Sequence, residues 1–205
     1  MGFWHNVWAT FGMFFPFGQT GDPDPRRNLP GAPALSLWLA VPFWIGLAMA
    51  VWRIRRPIYA ALVVGLVGML LPGMISEYAP HFHRVLGAAA PVALLAALPL
   101  TWIWSSAIRQ SRNPAIPQWI SRALVLLILV LAAATTVRDY FVRWAALPDL
   151  YYAFDQGLWE VGQWIAEQPV DTPVYLTPRD SEHATLAFAW RAGTGRCSQS
   201  AVTCR

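Results

Sequence analysis

The sequence predicts an all-α integral membrane protein with four transmembrane helices, an N-terminal interfacial helix and a small extracytoplasmic α/β tail. Three observations predict this fold class. Of the 205 residues, 56% are hydrophobic and 13% are charged, about half the charged fraction of a typical soluble domain. The mean hydropathy is positive, at +0.39. Eight of the eleven acidic residues lie between positions 139 and 182, so long stretches of the chain contain no acid.

Four apolar segments are long enough to cross a bilayer. A hydrocarbon core of about 30 Å needs roughly 17–25 mainly apolar residues in a helix, and in lipid a helix satisfies every backbone hydrogen bond within its own segment. The segments are 36–52, 57–75, 85–104 and 119–137. They predict a transmembrane region over residues 36–137.

The arginines in the connecting segments predict the orientation of the spans. Short cytoplasmic loops collect arginine and lysine, whereas acids have little influence. Arg53, Arg55 and Arg56 follow the first span, and a second group precedes or opens the fourth span; this group is Arg109, Arg112 and Arg122. The loop 76–84 contains Glu77 and a single arginine. We therefore expect a multi-pass protein of the cell membrane with this loop and both termini on the extracytoplasmic side.

The two ends of the chain are expected outside the hydrocarbon core. Residues 3–17 form an aromatic, uncharged run that is typical of an interfacial helix, and the turn-rich sequence GQTGDPDPRRNLPGAP completes a first region over 1–35. Residues 138–205 form the tail, which we expect to be incomplete as a domain. Within it, the pattern predicts an amphipathic helix over 150–168, a short strand over 174–177 and a second helix over 182–191.

The most suggestive polar cluster lies in SEYAPHFHR, between the second and third predicted spans. It contains Glu77, His81, His83 and Arg84. Ionisable groups next to the ends of membrane spans are costly and are often functional. An arginine with neighbouring hydrogen-bond donors also suits the geometry of a phosphate. One interpretation is that this cluster binds the phosphate of a lipid-linked substrate. The alternative is that the groups lie in headgroup water and cap the third helix.

Two other candidate sites carry less specific patterns. His81, His83 and Glu77 together could bind a divalent metal, although His-x-His on a loop is common by chance; no cofactor is otherwise indicated. A second cluster could bind a cation or a sugar hydroxyl, or could be a solvated turn. It consists of Asp22, Asp24, Arg26 and Arg27.

The cysteines and the net charge restrict the remaining possibilities. Cys197 and Cys204 are the two cysteines of the chain, and they could form a disulfide in an oxidising compartment or remain free thiols. A formal charge of +4 is compatible with a nucleic-acid partner. However, the arginines are scattered between apolar runs instead of forming one basic face, so nucleic acid is not an expected partner.

The order of these features resembles a known enzyme family. The sequences GDPDPRRNLPGAP, WRIRRP, LLPGMISEYAPHFHRVLGAAAPVALLAAL and VYLTPRDSEHATLAF are similar to the C-terminal part of bacterial membrane glycosyltransferases of the GT-C fold class. Within that class, the sequence most resembles relatives of the dolichyl-phosphate-mannose protein mannosyltransferases and of the lipid A aminoarabinose transferases. The most specific stretch is the APHFHR turn with the spans on either side of it.

This resemblance implies a function and an incomplete site. Such enzymes transfer a sugar from a polyprenyl-phosphate carrier on the extracytoplasmic side, with a catalytic base in an N-terminal loop that has no counterpart here. No residue of this chain is therefore assigned a catalytic role. Arg84, His81, His83 and Glu77 are the expected donor-binding residues, and a separate N-terminal half and membrane lipid are the expected partners. The alternative function is a non-catalytic membrane scaffold whose tail binds another protein.

Overall fold

In the computed structural model, the described residues are 2–109, 118–169 and 183–194, and they divide into two compact units, Met1–Ala146 and Leu147–Arg205. Every regular element in these three ranges is helical. The first unit contains α1 (Phe3–Gly12), α2 (Leu37–Trp52), α3 (Pro57–Met74), α4 (Ala89–Arg109) and α5 (Gln118–Val137). The second unit contains α6 (Asp149–Ala153), α7 (Gln156–Glu167) and α8 (Ala184–Thr194).

Three helical segments are long and apolar enough to cross a membrane: Pro57–Met74, Phe82–Ser105 and Trp119–Trp144. They correspond to the second, third and fourth predicted spans. The third predicted span begins earlier than position 85, because a 3₁₀ helix, Phe82–Ala88, leads directly into α4. The fourth ends later because a π-helical turn, Arg138–Trp144, continues α5 beyond its predicted end at position 137.

The first predicted span is a shorter helix. α2 has 16 residues, which corresponds to about 24 Å at a rise of 1.5 Å per residue. This length is less than the hydrocarbon thickness of about 30 Å. The fold class is thus confirmed as helical with three membrane-spanning candidates, and a fourth span does not follow from the length of α2.

The close packing of α2 against α4 forms the centre of the first unit. Phe43 and Ala50 on α2 and Leu95 on α4 are fully buried. Gly46 is the closest point of approach, because a Cβ atom at this position would lie 1.8 Å from the carbonyl oxygen of Leu95. Only glycine allows the two backbones to come this near.

The N-terminal helix exposes two tryptophans and buries two polar side chains. Trp4 and Trp8 are 72% and 75% exposed, whereas Asn6 and Thr10 are 4% and 0% exposed. α1 ends at Gly12, before the end of the predicted run 3–17. The following segment is held by the Ala34 amide, which donates to the Met13 carbonyl at 2.8 Å.

The second unit differs from the prediction at one point. The single helix predicted over 150–168 is divided into α6 and α7, because Asp155 adopts a left-handed conformation with φ of 54°. Aspartate tolerates this conformation better than most residues. The helix predicted over 182–191 is present as α8, which packs on α7 through Trp159 and Phe188 at 6.1 Å between ring centroids. The strand predicted over 174–177 lies outside the described residues.

The contact at Gly46 can be tested by adding one methyl group. We expect Gly46→Ala to destabilise the first unit by about 1–3 kcal/mol, because the added carbon overlaps a backbone oxygen that cannot rotate away. Thermal unfolding in detergent should then show a midpoint several degrees lower.

Gly68→Ala in α3 is the matched control, since a Cβ there meets no atom within 4 Å. Alanine is a better helix former than glycine, so this variant should unfold at the wild-type temperature or above it. Equal unfolding temperatures for the Gly46 and Gly68 variants would contradict the packing described for α2 and α4.

Candidate functional site

The loop between α1 and α2 is closed by a pair of backbone hydrogen bonds. The Gly21 amide donates to the Gly31 carbonyl at 3.1 Å, and the Gly31 amide donates to the Asp22 carbonyl at 3.0 Å. Both glycines are needed, since Gly31 has φ of 70° and a Cβ on Gly21 would lie 1.7 Å from the Ala32 carbonyl oxygen. This closure fixes the backbone of Asp22 within the loop.

Asp22 is a fully buried carboxylate with three donor groups, two backbone amides and one guanidinium. Its side chain is 0% exposed and accepts from the Asp24 amide at 3.0 Å and from the Phe82 amide at 2.9 Å. The Arg27 guanidinium completes the set with an ion pair of 3.0 Å. A buried carboxylate is tolerated only when it is paired and hydrogen-bonded in this way. The interpretation of this cluster as a solvated turn was therefore wrong for Asp22 and Arg27.

Arg27 connects the first loop to the second. It is 8% exposed at the side chain and also pairs with Asp24 at 3.0 Å. From the same guanidinium it donates to the Tyr78 hydroxyl at 3.3 Å, and it lies 5.8 Å from the centre of the Tyr78 ring. Arg26, by contrast, is mostly exposed and pairs with Asp24 alone among the carboxylates of this loop. The hydrogen bond from Arg26 holds the pKa of Asp24 well below its usual range, so Asp24 is ionised.

His81 packs against Tyr78, the residue that Arg27 contacts in the second loop. Its ring stacks on Tyr78 at 5.4 Å with an angle of 25°, and its side chain is 7% exposed. Burial lowers the pKa of His81, and the charges of Arg27 and Arg84 lower it further, so the imidazole is neutral at neutral pH. Its Nδ1 atom is buried and has no hydrogen-bond partner among the residues that the structure describes. A neutral ring in this position fills space and does not supply positive charge to a ligand.

Arg84 is held by a different pair of residues. Its guanidinium donates to the Ser76 hydroxyl at 2.6 Å, and Asn6 of α1 donates from its side-chain amide to the Ser76 carbonyl at 2.6 Å. Ser76 and Asn6 are both buried, whereas Arg84 is exposed. The arginine therefore presents its remaining donors at the surface from a fixed anchor.

The predicted site residues are only partly brought together. The structure joins the turn containing His81 to the loop containing Asp22, although the two clusters were treated as separate in the sequence. His83 is exposed, with its ring 6.4 Å from that of His81, and Glu77 is also exposed. In the described ranges, no group of three or more His, Cys, Asp or Glu side chains is placed to bind a metal ion. Cys197 and Cys204 lie outside those ranges.

Three residues of this region were missed in the sequence. Ser76 and Tyr78 flank Glu77 in the predicted turn, and Asn6 is a single amide inside an aromatic run. The amide of Asn6 was the available signal, because a polar side chain that is buried in a largely apolar helix has to find a hydrogen-bond partner inside the protein.

An apolar cleft of about 480 Å³ lies beside these loops in the first unit. Its walls come from the segment between α1 and α2, the 3₁₀ helix, α4, and one residue each of α2 and α5. They include Met13, Phe14, Leu35, Phe82, Val85, Leu86, Val92, Leu100 and Leu129. A cleft of this size and composition suits an apolar chain.

Two exposed polar residues lie on the 3₁₀ helix that forms part of the cleft wall. In a 3₁₀ helix, side chains three positions apart lie on the same face, so His83 shares a face with the cleft residue Leu86. Arg84 lies between the cleft residues Phe82 and Val85 in sequence. One short helix thus supplies both an apolar wall of the cleft and exposed polar groups.

No protein-family model, curated protein or solved structure matches this chain.

The ion pair at Asp22 can be tested with two arginine variants. We expect Arg27→Ala to destabilise the first unit by about 3–5 kcal/mol, because it leaves the buried Asp22 carboxylate without its counter-charge. Arg26→Ala removes an exposed arginine from the same loop and should have a much smaller effect. The measurement is thermal or denaturant unfolding in detergent. Similar losses in both variants would show that Asp22 does not depend on Arg27.

Proposed function

We propose that this chain is the carrier-lipid-binding part of a membrane glycosyltransferase that uses a polyprenyl-phosphate-linked sugar. The observation that carries the proposal is the combination found on the 3₁₀ helix: Phe82, Val85 and Leu86 line an apolar cleft, while His83 and Arg84 are exposed on the same helix. A polyprenyl phosphate has the matching chemistry, with a long apolar chain attached to an anionic group.

The membrane arrangement that we propose has four spans. α2 is the additional span, and its short length is compatible with local thinning of the bilayer. Its packing along α4 supports this placement. The arginines of the turn between α2 and α3 then face the cytoplasm, and the loops of the candidate site and both termini face the opposite side.

The first helix is proposed to lie in the membrane interface. Trp4 and Trp8 are exposed on the side of α1 that faces away from Asn6 and Thr10. Tryptophan favours the headgroup zone, where its ring contacts acyl chains and its N–H contacts water. An interfacial helix at this point would place the candidate phosphate site at headgroup depth.

The chain is proposed to bind the donor and not to catalyse transfer alone. Arg84 can bind the carrier phosphate through its free N–H groups, and the exposed His83 can donate a further hydrogen bond. Both would stabilise the anionic carrier phosphate as the bond to the sugar breaks. The base that activates the acceptor is expected on a separate N-terminal half.

Arg84→Ala tests the proposal directly. Binding of polyprenyl phosphate to the chain in lipid nanodiscs should weaken at least about tenfold, since a charge-assisted contact contributes about 1.5–3 kcal/mol. Binding of the uncharged polyprenol, which lacks the phosphate, should not change. Arg55→Ala is the control, because Arg55 is also exposed but belongs to the proposed cytoplasmic turn. Unchanged phosphate binding in the Arg84 variant would remove this residue from the site.

A membrane scaffold is the second candidate function. It is favoured by exposed aromatic side chains in the second unit, where Tyr152 is 81% and Trp164 is 55% exposed. Such rings are common at protein interfaces. Stable copurification with another protein, combined with no measurable binding of polyprenyl phosphate, would favour the scaffold over the glycosyltransferase.

A further inference from the structure

The geometry points to Ser76 as a positioning residue for Arg84, with Asn6 of α1 holding Ser76 in turn. This inference rests on the proposed function, because it concerns how the chain prepares its arginine for a lipid phosphate. The chemical class of the ligand is a phosphate monoester or diester at headgroup depth.

Two short hydrogen bonds carry the inference. The Arg84 guanidinium donates to the Ser76 hydroxyl at 2.6 Å, and the Asn6 amide donates to the Ser76 carbonyl at 2.6 Å. They join residues from α1 and from the two ends of the loop between α3 and α4. Ser76 is 5% exposed and Asn6 is 4% exposed, so the anchor is shielded while the arginine is not.

The number of donors explains why this anchor is useful. A guanidinium has five N–H groups in a rigid plane, and Ser76 accepts from one of its terminal nitrogens. The remaining donors stay available for a phosphate, and their direction is set by the anchored one. An unanchored arginine would lose rotamer freedom upon binding, which weakens affinity.

Helix α1 packs on α3, and this packing holds Asn6 in position. Thr10, one turn after Asn6, packs within 3.6 Å of the position that a Cβ on Gly73 would take at the end of α3. The polar face of α1 is therefore fixed to α3, and its aromatic face is exposed. Through Asn6, the helix that we place in the interface sets the position of the serine that holds the arginine.

The test compares four variants for binding of polyprenyl phosphate in nanodiscs: Ser76→Ala, Ser76→Thr, Arg84→Ala and the double variant Ser76→Ala/Arg84→Ala. We expect Ser76→Ala to weaken binding about three- to tenfold, which corresponds to the cost of immobilising one long side chain. Ser76→Thr retains the hydroxyl and should restore binding to within about twofold. The double variant should bind no more weakly than Arg84→Ala alone, because the serine acts only through the arginine.

Thermal unfolding of the single variants separates positioning from structural damage. Removing the hydroxyl leaves an exposed arginine without an anchor but buries no unpaired charge, so Ser76→Ala should unfold within a few degrees of the wild type. If Arg84→Ala weakens binding and Ser76→Ala does not, the positioning role is wrong and the proposed function stands. Additive losses in the double variant also contradict it. If the wild type does not bind polyprenyl phosphate, both the proposed function and this inference fail.

Discussion

The ion pair between Asp22 and Arg27 is the interaction on which the rest of the candidate site depends. A carboxylate that is fully shielded from solvent has to be neutralised and hydrogen-bonded, and here its partners come from two loops. The Phe82 amide lies 60 positions further along the chain. Because Phe82 begins the 3₁₀ helix, the pair fixes where that helix starts and therefore where His83 and Arg84 are presented.

The long apolar helices pack for a different physical reason. In lipid, burial of apolar surface does not drive helices together, so close contact depends on small residues and shape. Gly46 of α2, a helix that is shorter than the three candidate spans, makes a close contact of this small-residue kind with the Leu95 carbonyl of α4. Most side chains of the long helical segment ending at Trp144 remain exposed, and only 11% of its most apolar window is buried within the protein. The acyl chains of the bilayer are the natural solvent for that surface.

Much of the helical architecture and the turn that carries His83 and Arg84 could be predicted from the sequence, whereas the contacts that hold this turn could not. Hydropathy located the long helices because acyl chains impose a length on every span. The division at Asp155 was missed, since a left-handed aspartate leaves the apolar stripe unbroken. The burial of Asp22 was also missed, because its partner amide is distant in sequence and belongs to the backbone. The same is true of Asn6 and Ser76, which are 70 positions apart.

The central claim is that the cleft beside the 3₁₀ helix holds the chain of a lipid phosphate whose anionic end lies near Arg84. A polyprenyl phosphate with a photoreactive diazirine in its first isoprene unit tests this claim most directly. After irradiation in nanodiscs and mapping of the labelled peptides by mass spectrometry, we expect labels on Phe82, Leu86 or the adjacent turn of α4. An excess of unlabelled polyprenyl phosphate should suppress them. Labels confined to the exposed surface of α5, and unaffected by competitor, would contradict the account.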